Sequence, residues 1–406
     1  MKKMNEPWKT DEFWVSPYNY EDSVTSSYKL TKKVKIHDTT LRDGEQTPGV
    51  VFQMEEKVFL AKLLDEIGVD RIEVAMPLVS EDDKEATKKI TNLNLNADIY
   101  TLCRAVESDI DLSLQCGVDG VIIEVPVGVP KLKYMYPDWT EEKIINIAVK
   151  SINYAKSRGL KVTFFLMDVT RSEKRFFQKL VESVSNESPP NGLAIVDTAG
   201  CLLPKAAANM VRYVKQWTDI PIEVHTHNDM GLGLANTLAA LEAGAEVAHV
   251  CVNGLGPRGG NASLEEVVMT LHCLYGYETN INYSRLSELS KVVVEKSGFP
   301  IHTKKPFFGD GLFCRESGLG IKLVKTAPLA MFSLNPKVVG QESKIVLGKK
   351  SGKESIKYKI SELGMDDLSD EQINAVLLEV KTRSITKKGL IDDNEFKQIV
   401  DTIKAK

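Results

Sequence analysis

No apolar run in this chain approaches the roughly 20 residues needed to cross a bilayer, so a membrane-spanning role is not expected. The N-terminal stretch from Met1 to Tyr20 is polar and aromatic and lacks the apolar centre of a secretory leader, which makes the cytoplasm the expected location. Charge of one sign is missing too. The 52 basic and 56 acidic residues are interspersed and leave a formal net charge of −4, not the basic footprint of a nucleic-acid binder. Cysteines number only six, at 103, 116, 201, 251, 273 and 314, and no two stand at CxxC spacing. That speaks against a zinc ribbon or a disulfide scaffold and for small buried hydrophobes in a reducing compartment. A phosphate-binding glycine fingerprint is also absent. The first strand candidate runs instead into Asp38-Thr39-Thr40-Leu41-Arg42-Asp43-Gly44, which counts against an open, doubly wound dinucleotide-binding sheet.

What is present is ordinary globular composition, 43% hydrophobic and 27% charged, with a strong rhythm. A short β-rich run, a loop and an amphipathic helix recur eight times, with strands expected at 33–37, 71–75, 97–103, 120–125, 161–167, 193–197, 222–227 and 247–252. Such alternation means parallel strands with crossover helices. Eight units over residues 33–277 predict an α/β fold, a closed (β/α)8 TIM barrel. Residues 1–32 read as an arm whose Trp8, Phe13, Trp14, Tyr18 and Tyr20 are expected to pack on the barrel or on a neighbouring subunit. After residue 277 the rhythm stops. A connector over 278–330 and a small, mostly helical C-terminal subdomain over 331–406 are expected, with helical patterns at 283–297, 370–382 and 392–404.

The most informative segment is Glu223-Val224-His225-Thr226-His227-Asn228-Asp229. Side chains alternate along a strand, so Glu223, His225 and His227 share one face, and two imidazoles with a carboxylate suit a divalent metal site. In a barrel the chemistry sits at the C-terminal strand ends. Those positions hold Asp43, Arg42, Glu73, Glu124, Asp168, Arg171, Asp197 and Thr198, where a purely stabilising core would carry aliphatics. Asp43, His225 and His227 form a mixed oxygen and nitrogen ligand set, with Asn261 a further oxygen; it suits Mg²⁺, Mn²⁺, Co²⁺ or Zn²⁺ without choosing among them. The planar fork of Arg42 suits a carboxylate or a developing enolate or alkoxide charge. The other histidines, His37, His249, His272 and His302, carry no pattern that assigns them a role; His249 reads as a packed strand residue.

Together these residues resemble a known family. The run from His37 to Gln46 is similar to the first signature of the 2-isopropylmalate, homocitrate, citramalate and Re-citrate synthases. His225 to Asp229 with Ala235-Asn236 resembles their second signature, and Asn253-Gly254-Leu255-Gly256 with Arg258 and Asn261 a third. Asp197-Thr198-Ala199-Gly200 matches a shorter element, and Ile345 to Gly352 looks like the C-terminal subdomain. The resemblance implies a metal-dependent Claisen condensation of acetyl-CoA with a 2-oxo acid, giving a 2-substituted malate, citrate or homocitrate. It implies Asp43, His225, His227 and Asn261 as metal ligands, Arg42 and Glu223 as catalytic residues, and Gln46, Glu73, Arg171 and Thr198 around the oxo acid. It also implies a homodimer.

The chain departs from the pattern on the acyl-CoA side. Gly320, within Phe313 to Gly320, stands where the family has a histidine, and Arg315 replaces another. Pro257 occupies a position that is often Glu, and Glu124 to Pro130 lacks the usual Ser and His. A glycine moves no proton, so either another base serves, with Glu223, Glu316 or Tyr358 as candidates, or the barrel runs a related lyase, aldolase or decarboxylase reaction. A third reading, a non-catalytic metabolite-binding barrel, has no need of a complete metal triad.

Overall fold

The computed structural model describes residues 6–405. Eight parallel strands close into a barrel in chain order: β1 (Lys35–Asp38), β2 (Arg71–Ala75), β3 (Asp98–Arg104), β4 (Gly120–Pro126), β5 (Lys161–Met167), β6 (Gly192–Asp197), β7 (Ile222–Thr226) and β8 (Val247–Val250). This is the (β/α)8 barrel the alternation predicts. β1 closes the ring, with His37 level with Arg71 on one side and His249 on the other. Nearly every strand residue is buried, as in a parallel sheet covered on both faces.

The helices bind outside because their apolar residues repeat at helical spacing. In Lys174–Glu187 the buried set is Phe176, Phe177, Leu180, Val181 and Val184, one stripe facing the sheet. Met54–Ile67 starts where Glu56 Oε2 accepts the Gln53 amide at 3.0 Å and stops at Gly68, whose φ of 102° is a left-handed cap. Lys57 on that helix is buried between Glu45 and Asp83 and ties the loop after β1 to the start of helix Glu81–Thr91. Helix Leu286–Ser297 belongs to the barrel unit. Ser290 accepts from Asn253 Nδ2 (3.0 Å) and donates to its Oδ1 (2.5 Å), which fixes the loop after β8. Asn253 itself is held at φ 60°.

The chain divides into two compact units, Tyr18–Ile301 and the remainder. In the second unit two short parallel strands, β9 (Cys314–Arg315) and β10 (Lys344–Ile345), accompany helices Ile321–Thr326, Lys353–Glu362, Asp370–Lys387 and Asp393–Lys404. Its core includes Leu347, Ile356, Val376, Val380, Phe396 and Ile399. The aromatic N-terminal residues are shared out. Phe13 pairs with Leu334, and the backbones of Trp14 and Glu12 bond to Ser333 and Asn335 within the second unit. Tyr20 instead reaches the Cys273 carbonyl in the barrel unit (3.5 Å). Among the described residues no helix is long and apolar enough to cross a membrane.

Candidate active site at the barrel mouth

The chain leaving β1 winds round one carbonyl: Thr39 O accepts from the amides of Arg42 (3.2 Å), Asp43 (2.8 Å) and Gly44 (3.0 Å). That turn buries Asp43 at the rim, opposite β7. His225 Nε2 and His227 Nε2 lie 3.5 and 3.3 Å from Asp43 Oδ2. His227 Nδ1 lies 3.4 Å from the Asp197 carbonyl, which as acceptor leaves the Nε2 lone pair facing Asp43. Asn261 comes from the loop after β8, which runs antiparallel beside His227 and whose Nδ2 donates to Asp43 Oδ2 at 2.7 Å. Glycine makes this close approach possible. Gly256, at φ 144°, lies so near Asn261 that a Cβ there would strike its amide.

The spacing fits a cation. Two ligand atoms about 2.1 Å from one ion, at right to tetrahedral angles, stand roughly 3.0–3.4 Å apart. One ligand atom from each of Asp43, His225 and His227 lies within 4.8 Å of the others, and all three residues are buried. Asn261 Oδ1 and His225 Nδ1 are buried without a hydrogen-bond partner, a cost that a bound ion and a turned amide would relieve at Asn261. Burial pushes the Asp43 carboxyl up, but Arg42 and the two histidines outweigh it and hold it well below the usual carboxylate range. Burial lowers His225 to about 4, so it is a neutral imidazole, the form that binds metal.

Arg42 is gripped on two sides. It donates to Glu73 from Nε (2.5 Å) and Nη2 (3.1 Å), and to Asp43 from Nη1 (2.5 Å). Glu124, half-buried at the end of β4, shares the mouth. Burial and the charges of Asp43 and Glu73, against Arg42 and Lys131, push its carboxyl up to about 7.

Below this rim lies a polar layer in which the sequence singled out Glu223 and Glu73 but gave no role to His37, Arg71, Thr163 or His249. Glu223 Oε1 accepts from Arg71 Nη1 (2.7 Å) and Thr163 Oγ1 (3.1 Å), and Glu223 Oε2 meets His249 Nε2 at 2.7 Å. His37 stacks on His249 at 4.3 Å and 14°, with its Nε2 3.6 Å from Glu73 Oε2. His249 in turn meets the His225 ring at 5.6 Å and 90°. Only strand alternation applied to β1, β2 and β8 together, in the register that closure imposes, brings these residues to one point.

Of the residues picked out from the sequence, Asp43, His225, His227, Asn261, Arg42 and Glu73 are joined into one network. Glu223 sits beneath it, with both carboxylate oxygens engaged. Arg171 and Thr198 form a separate cluster on Asp168. Arg171 holds the Asp168 carboxylate through two 2.8 Å bonds, while Thr198 Oγ1 accepts from the Asp168 amide. Gln46 is exposed and lines, with Arg42, Met76 and Phe52, a pocket of about 600 Å³ beside the mouth. Gln46 reaches the triad only through its backbone amide, which donates to the Asp43 carbonyl at 3.0 Å; no side-chain hydrogen bond among the described residues joins Gln46, Arg171 or Thr198 directly to it.

Comparison with known proteins bears on the family and the fold. The HMGL-like family pattern matches residues 33–293, and the pattern described as homocitrate synthase post-HMGL domain-like matches residues 308–388. The chain is 40% identical to a 2-isopropylmalate synthase of Methanocaldococcus jannaschii, over 93% of this chain and 73% of that one. It is 39% identical to homocitrate synthase AksA of Methanopyrus kandleri, over 96% of both. It is 41% identical to the (R)-citramalate synthase CimA of M. jannaschii, over 86% of this chain and 70% of that one. Among solved structures, the HMG-CoA lyase of Bacillus subtilis superposes with a TM-score of 0.60 at 22% identity, covering 67% of this chain and 96% of that one, a likeness of fold.

Proposed function

The chain belongs to the HMGL-like family, and on that premise we propose that its barrel mouth condenses the acyl group of acetyl-CoA, or a related acyl-CoA, with the keto carbon of a 2-oxo acid. The observation that carries this reading is the convergence of Asp43, His225 and His227 on one point beside the doubly held Arg42. Charge supports it. One guanidinium stands between two carboxylates, so the rim is left with an excess negative charge; a divalent ion reverses the sign and matches a single substrate carboxylate.

Asp43, His225, His227 and Asn261 would hold the ion, which when bound supplies Lewis-acid polarisation of the keto group. Arg42 faces the same point, and Glu73 fixes the plane of its fork. Its donors are set in advance for the negative charge that grows on the keto oxygen as the carbon–carbon bond forms. Burial of the site excludes water until the bond is made. Glu223 works by position: held by Arg71, Thr163 and His249, it braces the layer on which His225 rests. Gln46, Arg171 and Thr198 are assigned to the walls that accept the rest of the oxo acid. The named relatives are synthases, so the lyase or decarboxylase alternative opened by Gly320 loses its support, and the lyase structures share only the fold at 22% identity.

The test is release of free thiol from acetyl-CoA with Mn²⁺ or Mg²⁺ and a panel of 2-oxo acids. Release with at least one acid, lost in Asp43→Asn and His225→Ala together with calorimetric Mn²⁺ binding, is the expected outcome. A panel without release, or a His225→Ala variant with full activity, overturns the reading.

A further inference from the structure

Condensation requires a base for the acyl methyl group, and the structure removes the candidates the sequence suggests. Gly320 has no side chain, and its φ of 79° belongs to the left-handed region that a histidine rarely adopts. Glu316 Oε1 accepts the Lys350 amide at 2.7 Å and packs against Gly348. Tyr358 donates to Glu362 at 3.2 Å. Glu223 is locked to Arg71 and His249.

One carboxyl at the mouth is different. Alternation along β4 sends Ile122 and Glu124 to the same side, and Ile122 is buried in the barrel's interior cluster with Tyr100, Leu102, Phe165, Ala194 and Val196. Glu124 therefore caps that cluster at the C-terminal rim. It is half-buried and takes part in no hydrogen bond or ion pair among the described residues. The charged groups that act on it are Arg42 and Asp43 from the loop after β1, Glu73 from β2 and Lys131 from helix Val129–Tyr134. Every other carboxylate near the triad is already engaged by a partner; this one is free to take a proton.

We propose that Glu124 is the catalytic base that removes the methyl proton of the acyl thioester, an assignment that rests on the condensation reading above. The methyl C–H bond breaks, its proton goes to a Glu124 oxygen, and its electron pair forms the bond to the keto carbon. The keto oxygen receives the displaced pair beside Arg42. In the hydrolysis that follows, water gives one proton to the keto-derived oxygen and adds its hydroxyl to the thioester carbonyl; the C–S bond breaks, the proton held by Glu124 passes to the departing thiolate, and the new carboxyl releases its proton to solvent. A carboxyl poised near 7 is matched to both halves of this exchange.

Glu124→Gln and Glu124→Asp are compared with the wild type by thiol release from ordinary and methyl-deuterated acetyl-CoA, with Mn²⁺ binding measured in parallel. Glu124→Gln is expected to lower kcat by about 100-fold or more, with the KM for the oxo acid and Mn²⁺ binding unchanged and a larger isotope effect on the deuterated thioester. Glu124→Asp keeps the charge and is expected to recover part of the rate. The wild-type rate is expected to rise through about pH 7. A Glu124→Gln enzyme with wild-type kcat, a loss confined to KM, or a wild-type profile flat from about pH 6 to 8 overturns this assignment and leaves the condensation standing. No thiol release by the wild type with any oxo acid overturns both.

Discussion

Gly192 is the position at which one added methyl group tests the buried charge layer. It is the first residue of β6, and a Cβ built there would collide with Glu223 Oε1 and stand 2.8 Å from its Cδ. Its backbone is not left-handed, so alanine meets no conformational penalty and the effect is steric alone. The carboxylate would have to retreat by roughly an ångström, which is more than its 2.7 Å bonds to Arg71 and His249 tolerate. Breaking a buried ion pair costs about 3–5 kcal/mol because the uncompensated charges remain inside. Gly159→Ala is the control. Gly159 has φ 85° and nothing within 4 Å of its Cβ position, so alanine there carries only a backbone cost of about 1 kcal/mol. Urea unfolding at unchanged m-value measures both. Gly192→Ala should lose at least 2 kcal/mol more than the control. Glu223→Asp, whose shorter side chain vacates the space, should destabilise the Gly192→Ala background less than the parent, a coupling that a double-mutant cycle reads directly. Equal losses at 192 and 159, or additive effects of the pair, would refute the account of Glu223 as a tightly braced carboxylate.

Further outcomes follow from the same geometry. Gly320→His should fold less stably by about 1–2 kcal/mol, from its left-handed φ, and should not raise thiol release, because the backbone there is not built for a side chain; a marked rise in release would contradict this. The response of stability to pH has a definite sign. Burial lowers His37 to about 3 and His225 and His249 to about 4, so between pH 6.5 and 5 the unfolded chain holds these three protons and the folded chain does not. Burial raises Asp38 and Glu124 to about 7, so in that window the folded chain holds two protons that the unfolded chain lacks. Three against two leaves the unfolded state ahead by one, and ion-free protein should lose about 1.4 kcal/mol per pH unit on acidification. In Glu124→Gln one opposing group is gone and the slope should double, which urea midpoints across the window would show. Saturating Mn²⁺ should raise the urea midpoint of the wild type and leave that of Asp43→Asn in place.

Which of these features a linear chain discloses depends on how far apart their causes lie. Glu223, His225 and His227 are legible because one strand and the residue just past its end carry all three, and alternation is a local rule. Asp43 is legible because it lies in the loop that follows the first strand of a repeating pattern, and the rim of such a barrel is where polar residues gather. His249 obeys the same alternation, yet Val247-Ala248-His249-Val250 alone reads as a packed strand. Its meaning comes from His37 and Glu223, which reach it only through the register in which β1 meets β8 and β7 meets β8. That register belongs to the closed ring and not to any one segment. The N-terminal aromatics teach the same lesson: composition says that Phe13 must be covered, but only the fold shows that Leu334, more than three hundred residues away, lies beside it. Glu124 is the hardest case. What distinguishes it is the lack of a partner among the described residues in a place where every neighbouring carboxylate has one, and a missing partner leaves no trace in a sequence. The groups that bind and hold are therefore written in local pattern, whereas the group that must stay free to react becomes visible only when everything around it has been placed.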